Sequence, residues 1–308
     1  MNDIAIDSHG LRKEFGAKVA VADFTLQVPR GEIFGFLGPN GAGKTTSVKM
    51  MLGLIRPTAG SATLLGQPIG DQPARKRIGF LPEHFRFHEW LQAAEFLDLH
   101  GRLYGMSREK RQKVIPEILE MVGLERRAKT KLSAFSKGML QRIGLAQSLL
   151  NDPELVFLDE PTSGLDPLGR RLVRDIIKDL RSQGITVFLN SHLLSEIELT
   201  CDRVAFIREG VIVRVASLDE LGKEHIQISI RIGQPSPELL QGLSQFGNGV
   251  TMDVGSGRIN LAVNDESQIP FVVNWLVEQG QAVYELSPQS ASLEDQFLQI
   301  IGDEMYDA

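Results

Sequence analysis

The stretch "GPNGAGKTT", Gly38 to Thr46, carries the densest chemistry in the chain. Gly38, Gly43, Lys44 and Thr45 fit the pattern G-x-x-x-x-G-K-[ST] of a phosphate-binding loop. Between them lie Pro39, Asn40, Gly41 and Ala42, and Thr46 follows. Glycines let backbone N–H groups wrap a phosphate at a helix N-terminus. Lys44 would then pair with β- and γ-phosphate oxygens, and the Thr45 hydroxyl would ligate Mg²⁺. A chance glycine-rich turn is the plain alternative. Against it, a short apolar run, Ile33–Leu37, precedes the loop and a helical pattern from about Gly43 to Leu52 follows.

A second group of residues lies in "LVFLDEP", Leu155 to Pro161. Four apolar residues make a buried strand, so Asp159 emerges at its C-terminal end, where α/β proteins bind ligands. There Asp159 would hold Mg²⁺ through water and Glu160 would polarise an attacking water, a step worth roughly 10²–10⁴-fold. The same Asp-Glu pair would also suit a helix N-terminus. Pro161 and the turn-like "TSGLDP" weigh against that. Together the two stretches read as a nucleoside triphosphate hydrolase of unspecified kind.

A third stretch, "FSKGMLQR", Phe135 to Arg142, starts a helix with Ser136 as its cap and offers a second anion site. A protein with one phosphate cradle has no evident need of another.

These residues must be positioned by alternating strands and helices. Ile4–Ser8 and Ala20–Val28 alternate loosely, as in a small antiparallel sheet. Ile33–Leu37, Leu155–Leu158 and Thr186–Leu189 are buried parallel strands by composition, with a helix near Pro167–Gln183. The expected fold is α/β with a mostly parallel sheet, a small antiparallel β subdomain and a helical subdomain over about 84–150. After about Leu221 the character changes. Strands at Gln227–Ile232, Val250–Val254, Ile259–Val263 and Ala282–Leu286 interleave with helices at Pro237–Gln245 and Ile269–Gln279, and a last helix covers Leu293–Ile301. That order suits a smaller α+β, ferredoxin-like C-terminal domain. The expected domains are therefore residues 1–221 and 222–308.

In order and spacing, these motifs resemble the ATP-binding subunits of ABC transporters. "FSKGMLQR" is similar to the family's signature, "SGLD" (Ser163 to Asp166) to its D-loop, and "NSH" (Asn190 to His192) to its switch histidine. The resemblance implies a P-loop ATPase that works as a head-to-tail dimer, as a homodimer or with a related subunit. ATP at one P-loop would be closed over by the partner's Ser136, Lys137, Gly138 and Met139, so each chain carries half of two sites. Asp166 would reach across the interface, and His192 would contact the γ-phosphate and help orient water. Phe15 stands where the family stacks an aromatic ring on adenine. A core phenylalanine is the plain alternative there, and a simple helix cap is the plain reading of Ser136.

Two departures narrow the branch. "IGFLPEHF" places Glu83 where the family commonly has a glutamine; a carboxylate still ligates Mg²⁺ but adds charge. In the signature, Lys137 replaces the usual first glycine, and either adds charge near the partner's phosphates or points to solvent. "SKGM", Pro82-Glu83 and the ending "SLEDQFLQIIG" resemble ATPases of ABC-2-type exporters. "HFRFHEWL", His84 to Leu91, suits either a surface that receives a membrane subunit or the start of an amphipathic helix.

Composition agrees with a globular chain: 42% hydrophobic and 23% charged over 308 residues. The net charge of −6 gives no reason to expect nucleic acid, and the single Cys201 permits no internal disulfide. No apolar run reaches the roughly 20 residues of a membrane span, and the N-terminus does not resemble a signal peptide. The expected location is the cytoplasm, held to the inner face of the membrane through an integral permease subunit that the ATPase energises for export. The alternative is an ABC-type ATPase of repair or translation. Those need a long coiled-coil insertion or two cassettes, and this chain shows neither. A kinase or GTPase is disfavoured by the signature and by the lack of Asn-Lys-x-Asp.

Overall fold

The computed structural model describes residues 4–224, 226–233, 235–253, 257–263 and 265–290, with Leu293 and Phe297. The chain divides into two compact units, residues 1–215 and 216–308.

The first unit opens with two long antiparallel strands, β1 (Ile4–Phe15) and β2 (Lys18–Pro29). The buried strand β3 (Ile33–Leu37) leads through the glycine loop into α1 (Lys44–Met51). β4 (Ala59–Leu64) and β5 (Gln67–Pro68) extend the antiparallel part, and the short α2 (Gln72–Arg75) leads to β6 (Ile78–Leu81). Three helices follow: α3 (Ala93–Leu103), α4 (Arg108–Met121) and α5 (Lys137–Leu149). The chain then returns through β7 (Leu155–Asp159), α6 (Pro167–Ser182), β8 (Thr186–Asn190), α7 (Leu194–Thr200), β9 (Arg203–Arg208) and β10 (Val211–Ser217).

Among the described residues these ten strands form one mixed sheet, ordered β5-β4-β1-β2-β10-β9-β3-β8-β7-β6. The antiparallel strands are thus continuous with the parallel ones, joined where Val211 of β10 pairs with Asp23 of β2. The antiparallel strands expected as a small β subdomain and the parallel strands expected around the loop are two parts of one mixed sheet.

The parallel strands are apolar because both of their faces are covered. Every residue of β3, β7 and β8 is buried. Their aromatic rings interlock around Phe188, whose centroid lies 5.8 Å from Phe34, 5.3 Å from Phe36 and 5.2 Å from Phe157. Burying one such side chain stabilises the fold by about 1.5–3 kcal/mol. Register then aligns the strand ends. Asn190 of β8 pairs with Phe36 of β3 on one side and with Asp159 of β7 on the other. The loops that leave β3, β7 and β8 therefore emerge side by side.

"HFRFHEWL" does not begin a helix. Residues 84–91 form a loop, and α3 starts at Ala93. Phe85 and Phe87 turn inward instead, with centroids 4.5 Å apart and both against Phe96 of α3. Glu95 sets the helix start by accepting from the Gln92 N–H at 2.8 Å.

The second unit holds α8 (Leu218–Glu224), β11 (Ile226–Ile232), α9 (Pro237–Leu243), β12 (Asn248–Asp253), β13 (Arg258–Val263), α10 (Ile269–Glu278) and β14 (Val283–Ser290). Among the described residues its four strands form an antiparallel sheet ordered β12-β13-β11-β14. Ile228, Ile230, Ile259, Leu261, Val272 and Leu276 make its core. The helix expected over Leu293–Ile301 lies almost wholly outside the described residues.

Candidate functional site

The glycine loop is built by close backbone packing. A Cβ on Gly38 would stand 2.3 Å from the Ile207 carbonyl oxygen. Gly43 caps α1 at φ +103°, a conformation that side chains avoid, and a Cβ there would lie 2.6 Å from the Ala20 carbonyl oxygen. The loop is anchored by Ala42, whose carbonyl accepts from the Gly210 N–H at 2.9 Å. Lys44 Nζ donates to the carbonyls of Gly38 at 2.7 Å and Pro39 at 3.1 Å, so its ammonium is folded back over the loop.

Beside this loop lies a cavity of about 510 Å³. Asn40, Gly41, Gly43, Lys44, Thr45 and Thr46 line one side of it. Glu83, Asp159, Glu160, Asn190 and His192 line the other. Gly38, Pro39 and Ala42 shape the loop from behind.

The carboxylates are held in distinct ways. Asp159 is buried, and Asn190 Nδ2 donates to its Oδ1 at 2.5 Å. Burial raises the Asp159 carboxyl above its ordinary range, the Asn190 bond opposes this, and the charges of Glu83 and Glu160 add to it. Burial likewise lowers the Lys44 ammonium, against the pull of Glu160, Asp159 and Glu83. Glu160 is buried and has a left-handed backbone, φ +54°. Its N–H donates to the Asn190 carbonyl at 2.8 Å. Its Oε1 accepts the His192 N–H at 2.8 Å, and its Oε2 stands 2.7 Å from His192 Nδ1.

The residues present suit a hard cation. A hydroxyl (Thr45) and two carboxylates (Glu83, Asp159) line one cavity wall to wall with the anion-binding loop. Among the described residues no three His, Cys, Asp or Glu side chains form a protein-only metal cage. Mg²⁺ does not require one, since it keeps waters and takes phosphate oxygens.

"FSKGMLQR" lies elsewhere. Ser136 is the N-cap of α5 and accepts the Met139 N–H at 3.2 Å, as the sequence predicts. Ser136, Lys137 and Gly138 line a different cavity of about 530 Å³ with Gly164, Leu165 and Asp166. The Lys137 stem lies over Gly164, where a Cβ would meet its Cδ and Cε at 2.7 Å. Asp166 caps α6, accepting the Gly169 N–H at 2.7 Å. Met139 and Ser163 do not line this cavity.

Phe15 is not a core residue. It is 53% exposed at the end of β1, with Lys13 Nζ 5.0 Å from its ring centroid. The same hairpin sends Lys18 and Ala20 to the wall of the first cavity. Sequence reading missed both, because no local pattern marks them. It also missed Asn190 as the partner of Asp159. The run of strand followed by "NSH" was the available signal.

Comparison with known proteins agrees with this geometry. The sequence model of the ABC transporter family matches residues 21–163. An uncharacterised ABC transporter ATP-binding protein of Synechocystis is 51% identical over 199 residues, 64% of this chain; the match spans only 56% of that relative's length. The Nod factor export ATP-binding protein I of Rhizobium sp. strain N33 is 37% identical over 309 residues, 99% of each chain. A dimeric ATP-binding cassette, solved in a post-hydrolysis state with ADP and phosphate, superposes with a TM-score of 0.64 at 27% identity, covering 69% of this chain and 98% of that one. With its phosphate loop, its Asp159–Glu160 strand end and a relative aligned along its whole length, the chain belongs to the ATP-binding proteins of ABC transporters.

Proposed function

We propose that the chain is an ATPase subunit that energises export through a separate membrane permease, by closing and reopening as a dimer. One observation carries this reading. The two phosphate-binding stretches line two cavities that share no residue, one with Lys44, Asp159, Glu160 and His192, the other with Ser136, Gly138 and Asp166. A triphosphate in the first leaves the second unused unless another copy faces it. A two-fold pairing completes both sites at once. The cassette that resembles this chain at 27% identity was solved as a dimer with ADP and phosphate.

The roles follow from chemistry and place. Asn40 to Thr46 hold the phosphates, with Lys44 leaving the Gly38 and Pro39 carbonyls for the β- and γ-oxygens. Thr45, Glu83 and, through water, Asp159 would hold Mg²⁺, which would neutralise charge on those oxygens when bound. Glu160 accepts the proton of the attacking water, and His192 fixes its carboxylate in place. Ser136 and Gly138 present N–H and hydroxyl donors to the partner's γ-phosphate. Lys137 brings a positive charge to that edge. Phe15 offers an exposed ring for adenine to stack on.

No helix among the described residues is long and apolar enough to cross a membrane. Export is supported by the full-length likeness to a protein named for Nod factor export. We assign the ATP-binding domain to residues 1–221 and an accessory domain to 222–308. The sheet order of the latter suits a ferredoxin-like arrangement that stabilises or regulates the dimer.

Complementation tests the reading. Lys44→Ala and Ser136→Arg chains should each be inactive alone, and mixing them should restore hydrolysis, because one mixed site is intact. Two chains that stay inactive when mixed would contradict shared sites.

A further inference from the structure

Glu160 is held in a strained conformation with the help of a residue of α5 to which no role has so far been given. A left-handed backbone at a non-glycine residue persists only where the surroundings impose it, and Glu160 has φ +54°. Three contacts impose it here. The Glu160 N–H is tied to Asn190, and its carbonyl accepts the Ser163 N–H at 3.1 Å. That same carbonyl also accepts Nε2 of Gln141 at 3.0 Å. Gln141 lies five residues after Ser136 on α5, the helix whose start faces the second cavity.

The helix is shaped to bring Gln141 this close. Gly138, Gln141 and Gly144 follow at three-residue spacing and share one face. A Cβ on Gly138 would lie 3.1 Å from Leu165 Cδ2, and one on Gly144 would lie 2.8 Å from Leu81 Cδ1. The helix is thus seated against the D-loop at one end and β6 at the other, and the amide between them spans to the Glu160 carbonyl. A carbonyl only accepts, so the amide must donate.

We infer that Gln141 is a positioning residue for Glu160, and that through it α5 links the half-site a chain lends to its partner with the base of the site it keeps. Movement of Ser136 onto a partner's γ-phosphate pulls on a rigid helix. Gln141 carries that displacement to the Glu160 peptide and so to its carboxylate. The inference rests on Glu160 being the group that activates water.

The test compares the full-length wild-type chain with Gln141→Met and Gln141→Glu, both similar in length and without a donor at neutral pH. Each should lower kcat for ATP roughly two- to tenfold, the worth of one net hydrogen bond, with KM and Tm unchanged. An unchanged kcat, or a loss tracked by KM and Tm together, would overturn the inference. Mixed dimers sharpen it. With Lys44→Ala in one chain, only the site built on the other chain's P-loop and Glu160 turns over. Gln141→Met should slow that site when placed in the chain supplying Glu160. A loss seen instead when it sits in the chain supplying Ser136 would overturn the inference, because the residue would then act on the signature alone. Glu160→Gln with ATP separates the two readings. If that variant dimerises and Gln141→Met leaves kcat unchanged, only the Gln141 assignment falls. If it does not dimerise, the shared-site reading and the link through α5 fall together, and kcat of the Gln141 variants then decides only whether Gln141 positions Glu160.

Discussion

Glu160 and His192 are joined twice: the His192 N–H donates to Oε1 at 2.8 Å, and its ring Nδ1 stands 2.7 Å from Oε2. The buried carboxylate is thereby held by a residue whose side chain is 62% exposed at the cavity mouth. The backbone bond is independent of residue type, and the ring contact is not. His192→Ala should therefore keep ATP affinity and lower kcat about 10²-fold. Equilibrium binding of ATP beside steady-state turnover checks this; equal losses in both would place His192 in binding instead.

Asp159 sets function against stability. Burial and the charges of Glu83 and Glu160 raise its carboxyl, so the ionised form is unfavourable without a cation. A folded-state carboxyl raised above its unfolded value stabilises below the unfolded value and loses that contribution as pH rises through the folded one. At neutral pH Asp159→Asn should raise the Tm of the nucleotide-free chain while abolishing Mg²⁺-dependent hydrolysis. Thermal unfolding with and without Mg²⁺ measures both, and a lowered Tm would contradict the electrostatic reading.

Much of this was legible in advance for a physical reason. The loop Gly38–Thr46, the Asp159–Glu160 strand end and the Ser136 cap depend on neighbours within a few residues, and local pattern records them. The alternating runs of the second unit likewise marked its strands and helices. What escaped is set by strand register. Lys18 and Ala20 reach the cavity only because Gly210 pairs with Ala22 and Asp23, some two hundred residues apart in sequence. The Asn190–Asp159 bond needs β7 and β8 to be neighbours. Of the two readings of "HFRFHEWL", the helix start fails, because its aromatic residues alternate with polar ones and the half-buried Phe85 and Phe87 pack against Phe96 of α3 from a loop.

A different pH dependence comes from Glu154, which does not line the cavity beside the glycine loop. Hydrogen bonds from Arg77 and Arg30 lower its carboxyl from 4.5 to about 2, with Arg30 Nη1 at 2.8 Å. A lowered carboxyl gives stability present above the unfolded value and lost as pH falls through the folded one. The wild-type chain should lose part of its stability between those limits, and Glu154→Gln should flatten that window. Urea unfolding at stepped pH measures it; identical slopes would refute the pairing.

Gly43→Ala should be severe although it adds one methyl. Its φ of +103° and the Ala20 carbonyl 2.6 Å from a would-be Cβ leave no room. Strain of order 1–3 kcal/mol should fall on the loop. Nucleotide affinity should drop at least tenfold while circular dichroism stays near native. Unchanged affinity would show that the loop relaxes freely.

If each chain holds half of two sites, ATP must bring two chains together. Sedimentation of Glu160→Gln with ATP and Mg²⁺ tests it most directly, because blocking hydrolysis should trap the closed pair. A stable dimer that reverts to monomer when ATP is replaced by ADP is expected. A variant that binds ATP and stays monomeric at every concentration would contradict it.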